Sequence, residues 1–287
     1  MERAMVVGVD GSQESMAAAG WAAEEAERRG LPVRLLHAWM WQPVDVPVAQ
    51  DPDGRRRAAE GLLQLAEKDL GDRYPAVRFT AEAVSETAVP ALLRAAERSE
   101  MLVLGSRGYG ALMGYLLGSC GQQVIGAATR PVVAVRARTE APVRREVVVG
   151  QQGGAQLSSA VLKFAFEAAA ARDATVRAVR AWTLPPVFAA GAASLQLVDE
   201  AGGLEPYEKE ALEEALAPWR ARYPEVPVVE QVETGSPGQV LLEAAEGAEL
   251  LVVGRRARRA PIGSRIGSVA HACLHHAHCP VAVVPHG

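Results

Sequence analysis

One glycine spacing occurs twice in the chain, and it constrains the fold more than any other feature. Gly105, Gly108 and Gly118 follow an apolar run in the pattern G-x2-G-x9-G-S. The second half repeats this frame at Gly254 and Gly267, where alanine replaces the middle glycine. A period of half the chain is too long for a solenoid repeat, and it predicts a duplicated domain.

Each copy alternates short β-branched runs with alanine-rich stretches of helical periodicity. Strands that alternate with helices predict a mostly parallel sheet with helices on both faces. We therefore expect an α/β protein with two Rossmann-like domains, at residues 1–138 and 146–287. The stretch from Arg138 to Arg145, with Pro142 and mixed charges, is the predicted linker.

Composition excludes several classes of protein. A net charge of -4 lacks the basic excess typical of nucleic-acid binders. Three cysteines in 287 residues argue against a disulfide framework and for a reducing compartment. The N-terminus lacks a signal-peptide pattern, and no apolar run reaches the roughly 20 residues that span a bilayer. We expect a soluble cytoplasmic protein with no nucleic-acid or membrane partner.

The repeated glycines lie where a doubly wound sheet binds ligands, at the carboxyl ends of the strands beside the reversal of strand order. Asp10-Gly11-Ser12 follows the first strand, and Gly105 to Gly108 follows the fourth. Gly118-Ser119 then opens a helix whose amides and dipole favour phosphate. Asp10 suits a ribose hydroxyl or, together with phosphates, a divalent cation such as Mg²⁺. These residues predict a nucleotide site.

The motifs resemble the universal stress protein family in its tandem form. The resemblance rests on D-G-S after strand one, G-x2-G-x9-G-[ST] after strand four and a final C-P-V-x-V-V strand, and both halves share it. It implies a five-stranded parallel sheet of order 3-2-1-4-5 in each half. In the ATP-binding subset of the family, the Asp contacts the ribose, the glycine motif holds the phosphates and backbone after strand two meets the adenine. Carried over, this implies Asp10, Gly11, Ser12, Ala38, Gly105, Arg107, Gly108, Gly118, Ser119 and Cys120 as ATP-binding residues.

The second copy departs from this pattern. Gln152 stands at the position of Asp10, Gly154 at that of Ser12, and Ala257 at that of Gly108. An amide can still bind a ribose hydroxyl, but it brings no charge for a cation. A less complete second site remains, and the arginines around it can alternatively hold a free anion. Its candidate residues are Gly254, Arg256, Gly267 and Ser268.

Two further features admit more than one interpretation. His271, His275 and His278 have helical spacing beside Cys279, which admits zinc. Histidines near a helix C-terminus also suit the helix dipole, and we predict no metal site. Cys120 begins the predicted helix, where a thiol pKa can fall and redox sensing is conceivable. A small residue beside the phosphate loop is the simpler explanation.

These observations predict an ATP-binding regulatory protein of the universal stress type, with nucleotide mainly in domain 1 and an unidentified protein partner. The alternatives are a non-nucleotide interaction scaffold and, less favoured, a slow ATPase. The glycine loops lack a P-loop lysine, and no base adjoins a nucleophile, so we expect no enzyme. We also expect the last strands, near 132–135 and 281–284, to pair the halves as an internal pseudo-dimer. Homodimerisation of whole chains stays open.

Overall fold

The computed structural model describes residues 4–39, 52–106, 118–137, 143–183, 204–257 and 266–287. These residues form two compact units. The first contains residues 4–137 and Ile266, and the second contains the other described residues from 143 onward. Within these six segments, every helix is too short or too polar to cross a membrane.

Strands and helices alternate along the first unit, as predicted. Within the described residues its strands are all parallel and hydrogen-bonded in the order β3-β2-β1-β4-β5. Its elements are β1 (Met5–Gly8), α1 (Gln13–Arg29), β2 (Val33–Trp39), α2 (Pro52–Arg73), β3 (Phe79–Ser85), α3 (Ala88–Glu97), β4 (Leu102–Ser106), α4 (Ser119–Ala127) and β5 (Val132–Arg136).

The second unit repeats this topology. Its described strands are parallel in the order β8-β7-β6-β9-β10, which is again 3-2-1-4-5. The predicted fold class is therefore confirmed in both halves. The elements are β6 (Glu146–Gly150), α5 (Ala155–Arg172), β7 (Thr175–Trp182), α6 (Glu205–Arg222), β8 (Val228–Thr234), α7 (Pro237–Ala244), β9 (Leu250–Arg256), α8 (Ser268–His276) and β10 (Val281–His286).

Small side chains bring α1 close to the sheet of the first unit. Ala18, Ala22 and Ala26 lie on one face of the helix, and all are fully buried. At the start of α1, a Cβ added to Gly105 on β4 would lie 2.5 Å from the backbone carbonyl carbon of Glu14. Only glycine permits this approach, so the strand and the first helix turn are in direct backbone contact.

The first helix of each unit ends on a residue with left-handed backbone, but the residue type differs. Gly30 closes α1 with φ +63°, and Asp173 closes α5 with φ +51°. Left-handed backbone is unstrained for glycine and costly for residues that carry a Cβ. Substitutions at the two C-caps should therefore change the free energy of unfolding in opposite directions.

We expect Gly30→Ala to lower the free energy of unfolding of the first unit by about 1 kcal/mol, because alanine strains the left-handed cap. Asp173→Gly should raise that of the second unit by roughly 0.5 kcal/mol for the converse reason. Chemical denaturation followed by circular dichroism measures both changes. A stabilising Gly30→Ala would contradict this account of the caps.

Candidate functional site

A cleft of about 600 Å³ opens at the carboxyl ends of the central strands of the first unit. Its walls come from the ends of β1, β2 and β4, from the first turns of α1 and α4, and from α3. The strand order reverses between β1 and β4, and such a switch point is where open α/β sheets bind ligands.

The cleft brings together most of the predicted site residues. Those that line it are Asp10, Ser12, Ala38, Gly105, Gly118, Ser119 and Cys120. Gly11 is not in the lining; it turns the chain after β1 with φ +83°. The predicted residues Arg107 and Gly108 lie outside the described residues.

The Asp10 carboxylate is held by the cap of α1. The backbone amide and the hydroxyl of Ser12 both donate to Oδ1, at 3.0 and 2.5 Å. Ser12 Oγ also accepts from the amide of Ser15, which makes Ser12 the N-cap. Partial burial raises the pKa of Asp10, but these hydrogen bonds outweigh it and leave the pKa below its usual value. The cleft therefore presents an ionised, oriented acceptor.

The N-terminus of α4 supplies hydrogen-bond donors to the same cleft. Gly118 is the N-cap and offers no side-chain acceptor. The first amides of a helix have no partner within the helix, so those of Ser119, Cys120 and Gly121 can face an acceptor in the cleft. The helix dipole favours a negative group at this position.

Sequence reasoning missed the apolar wall of the cleft. Val9, Leu36, Leu92 and Leu104 line it beside the polar groups. His37 also lines the cleft, and its Nδ1 lies 2.6 Å from the carbonyl oxygen of Val9. A carbonyl only accepts, so Nδ1 carries the proton and His37 fixes the end of β1. The apolar residues at the carboxyl ends of β1 and β2 were the sequence signal from which this wall could have been predicted.

The surroundings of Cys120 favour the simpler of its two interpretations. Burial raises the pKa of its thiol, and the nearby negative charge of Asp10 raises it further. A lowered thiol pKa at this helix N-terminus was the less favoured interpretation of the sequence. Burial and the nearby carboxylate, neither of which the sequence displays, both raise the pKa and disfavour a reactive thiolate.

The second unit has a much smaller cavity at the equivalent place, of about 80 Å³. Gly254 lines it, whereas Arg256, Gly267 and Ser268 do not. Arg180, which takes the strand position of His37, donates to Gln151 Oε1 at 2.5 Å and also pairs with Glu208. The residues predicted for a second site are thus not gathered around one cavity.

The histidines of α8 lie apart from both cavities. His271 and His275 stack with ring centroids 4.1 Å apart, as their helical spacing requires. Among the described residues, no three His, Cys, Asp or Glu side chains are grouped to hold a metal ion.

Two glycines of the motif should respond differently to substitution. Gly105→Ala places a Cβ 2.5 Å from the backbone of α1, whereas a Cβ on Gly118 meets no described atom within 4 Å. Because overpacking against backbone costs about 1–3 kcal/mol or more, Gly105→Ala should destabilise the first unit by at least that amount. Gly118→Ala should change stability by less than about 0.5 kcal/mol. Denaturant melts of both variants test this, and equal losses would refute it.

Comparison with known proteins agrees on one family. The model of the universal stress protein family matches residues 1–136 and 144–285. A universal stress protein of Mycobacterium tuberculosis is 35% identical, covering 98% of this chain and 97% of the relative. Another, from Mycolicibacterium smegmatis, is 32% identical, and the match covers 99% of this chain and 97% of that relative.

A solved structure resembles the whole fold. The crystal structure of a universal stress protein from Archaeoglobus fulgidus matches with a TM-score of 0.74 and covers 99% of this chain and 98% of that one. The two sequences are 16% identical, so this likeness concerns the fold alone.

Proposed function

Because the chain belongs to the universal stress protein family, in its tandem form, we propose that it is an ATP-binding regulatory protein of the stress response. The nucleotide lies in the cleft of the first unit. One observation carries this proposal: a cleft of about 600 Å³ joins an oriented carboxylate, an apolar wall and an uncapped helix N-terminus. A nucleotide needs an acceptor for its ribose hydroxyls, an apolar surface for its base and hydrogen-bond donors for its phosphate.

Each part of the cleft has a role in the proposal. Asp10, held by Ser12, accepts hydrogen bonds from the ribose hydroxyls. The base lies against the apolar wall, and the backbone at Ala38 meets its polar edge. The amides at the start of α4 and the Ser119 hydroxyl hold phosphate. Arg107 and Gly108, outside the described residues, complete the phosphate loop by resemblance. With ATP present, Asp10 and the phosphates offer the oxygen ligands that Mg²⁺ takes.

In this function the protein binds ATP for regulation and does not turn it over as an enzyme. The described lining offers serine hydroxyls and the Cys120 thiol. The hydroxyls of Ser12 and Ser15 are engaged in the cap of α1. Burial and Asp10 both raise the pKa of Cys120. A nucleophile is normally activated by a lowered pKa or an adjacent base, and Cys120 has a carboxylate that disfavours its thiolate. We expect ATP hydrolysis well below about one turnover per second, the low end of ordinary enzymes.

Isothermal titration should show one ATP or ADP bound per chain. Asp10→Ala should weaken binding about tenfold or more, since a hydrogen bond to a charged group contributes roughly 1.5–3 kcal/mol. Gly118→Ala should also weaken it markedly, because the added Cβ takes up open space in the cleft lining where phosphate is proposed to bind. Gln152→Ala changes the equivalent residue of the second unit and should leave the affinity unchanged. If ATP and ADP both give no heat at millimolar concentration, the scaffold interpretation replaces this one. That alternative also predicts a protein partner recovered without nucleotide.

Cys120 provides an independent footprint of the nucleotide. Cys273 and Cys279 are buried, with 0% and 5% of their surface exposed, whereas Cys120 lines the cleft. Bound ATP should slow maleimide modification of Cys120, followed by intact mass. Without nucleotide, Asp10→Asn should speed the reaction at fixed pH, because losing the carboxylate charge lowers the thiol pKa. Modification that is indifferent to ATP would place the nucleotide elsewhere.

Assembly and location stay predictions. Native mass spectrometry of the purified protein reports bound nucleotide, its stoichiometry and any homodimer in one measurement. The internal pairing of the two halves and a cytoplasmic location are expectations from the resemblance and the composition.

A further inference from the structure

The cleft of the first unit contains a second carboxylate besides Asp10. Glu14 lies in the first turn of α1 and lines the cleft. Within the part of the chain that the structure describes, no hydrogen bond or ion pair engages the Glu14 carboxylate, whereas Asp10 accepts two hydrogen bonds from Ser12. The ribose hydroxyls pair with Asp10, so the Glu14 carboxylate has a different effect on the ligand.

Glu14 is positioned beside the phosphate motif. Its backbone packs on Gly105, where an added Cβ would lie 2.5 Å from the carbonyl carbon of Glu14. Gly105 is the first glycine of the motif, and Gly118 and Ser119 at its other end line the same cleft as Glu14. A phosphate group held by this motif therefore lies close to the Glu14 carboxylate.

The described lining offers little positive charge to balance a triphosphate. It includes no Lys or Arg side chain, and His37 directs its Nδ1 proton to the carbonyl oxygen of Val9. The start of α4 contributes only a partial charge, equivalent to roughly half a unit. Arg107, outside the described residues, adds one positive charge. Like charges repel more strongly in a partly buried cleft than in water, so an uncomplexed triphosphate is disfavoured here.

We propose that Glu14 makes the cleft select ATP in complex with a divalent cation such as Mg²⁺ over free ATP. This inference rests on the proposed binding of nucleotide at the same cleft. Free ATP meets an unengaged carboxylate beside the phosphate motif, whereas a cation on the phosphates reduces the negative charge that Glu14 repels. The effect acts on the phosphates alone, so adenosine is indifferent to it.

Calorimetric titration of the full chain, with Mg²⁺ or with EDTA, measures this selection. Low ionic strength is required, because salt screens partly exposed charges. For the wild-type protein, removing Mg²⁺ should weaken ATP binding about tenfold or more and leave adenosine binding unchanged. In Glu14→Gln the same removal should weaken ATP binding only about threefold or less, because glutamine keeps the shape of the side chain and lacks its charge.

Glu27→Gln is the matched control. Glu27 is an exposed carboxylate on the same helix, about 20 Å from Glu14 by the helical rise. That distance exceeds the Debye length of about 10 Å at 0.1 M salt. Glu27→Gln should therefore keep the wild-type response to Mg²⁺.

The outcomes separate this inference from the nucleotide proposal. If ATP binds the wild-type protein equally with and without Mg²⁺, or if Glu14→Gln keeps the wild-type response, the role of Glu14 is overturned and nucleotide binding stands. Weaker binding of the Mg²⁺ complex by Glu14→Gln would make Glu14 a cation ligand, which also overturns it. If ATP gives no heat even with Mg²⁺, the nucleotide proposal fails and this inference fails with it.

Discussion

The backbone contact between Gly105 and the first turn of α1 sets the geometry of the first unit. A Cβ at this position would lie 2.7 Å from the amide nitrogen of Ser15 as well as against Glu14. The helix can therefore begin directly above β4, and its N-cap Ser12 reaches Asp10. One glycine contact thus determines where the carboxylate stands relative to the cleft. The glycine that looked like a phosphate-binding residue is first a packing residue.

The second unit lacks that arrangement, and its cavity differs accordingly. Gly254 packs against the imidazole of His286 and Val161, and Gly154 gives α5 no side-chain cap. Arg180, in place of His37, needs a counter-charge and finds Glu208. The same topology therefore yields a wide charged cleft in one unit and a narrow neutral cavity in the other.

The sequence predicted the duplication, the order of elements and the residues that follow β1 and open α4. These are local signals, because turns and helix starts depend on neighbouring residues. It did not reveal the roles of His37 or Leu36, which depend on how strands distant in sequence converge. It also did not fix the direction of the pKa shift of Cys120, which depends on burial and on Asp10, a residue distant in sequence. The prediction failed where it required knowing which residues distant in sequence lie close together in the fold.

The turn after the first strand can differ between the two units because neither core depends on the residues of that turn. Val6 and Val7 on β1, and Val147 and Val148 on β6, are all fully buried. Burial of such side chains contributes roughly 1.5–3 kcal/mol each, whereas loss of an N-cap costs about 1 kcal/mol. Substitutions in the turn after the first strand can therefore change the ligand without endangering the sheet. Duplication of this fold leaves the turn residues free to diverge while both cores stay intact.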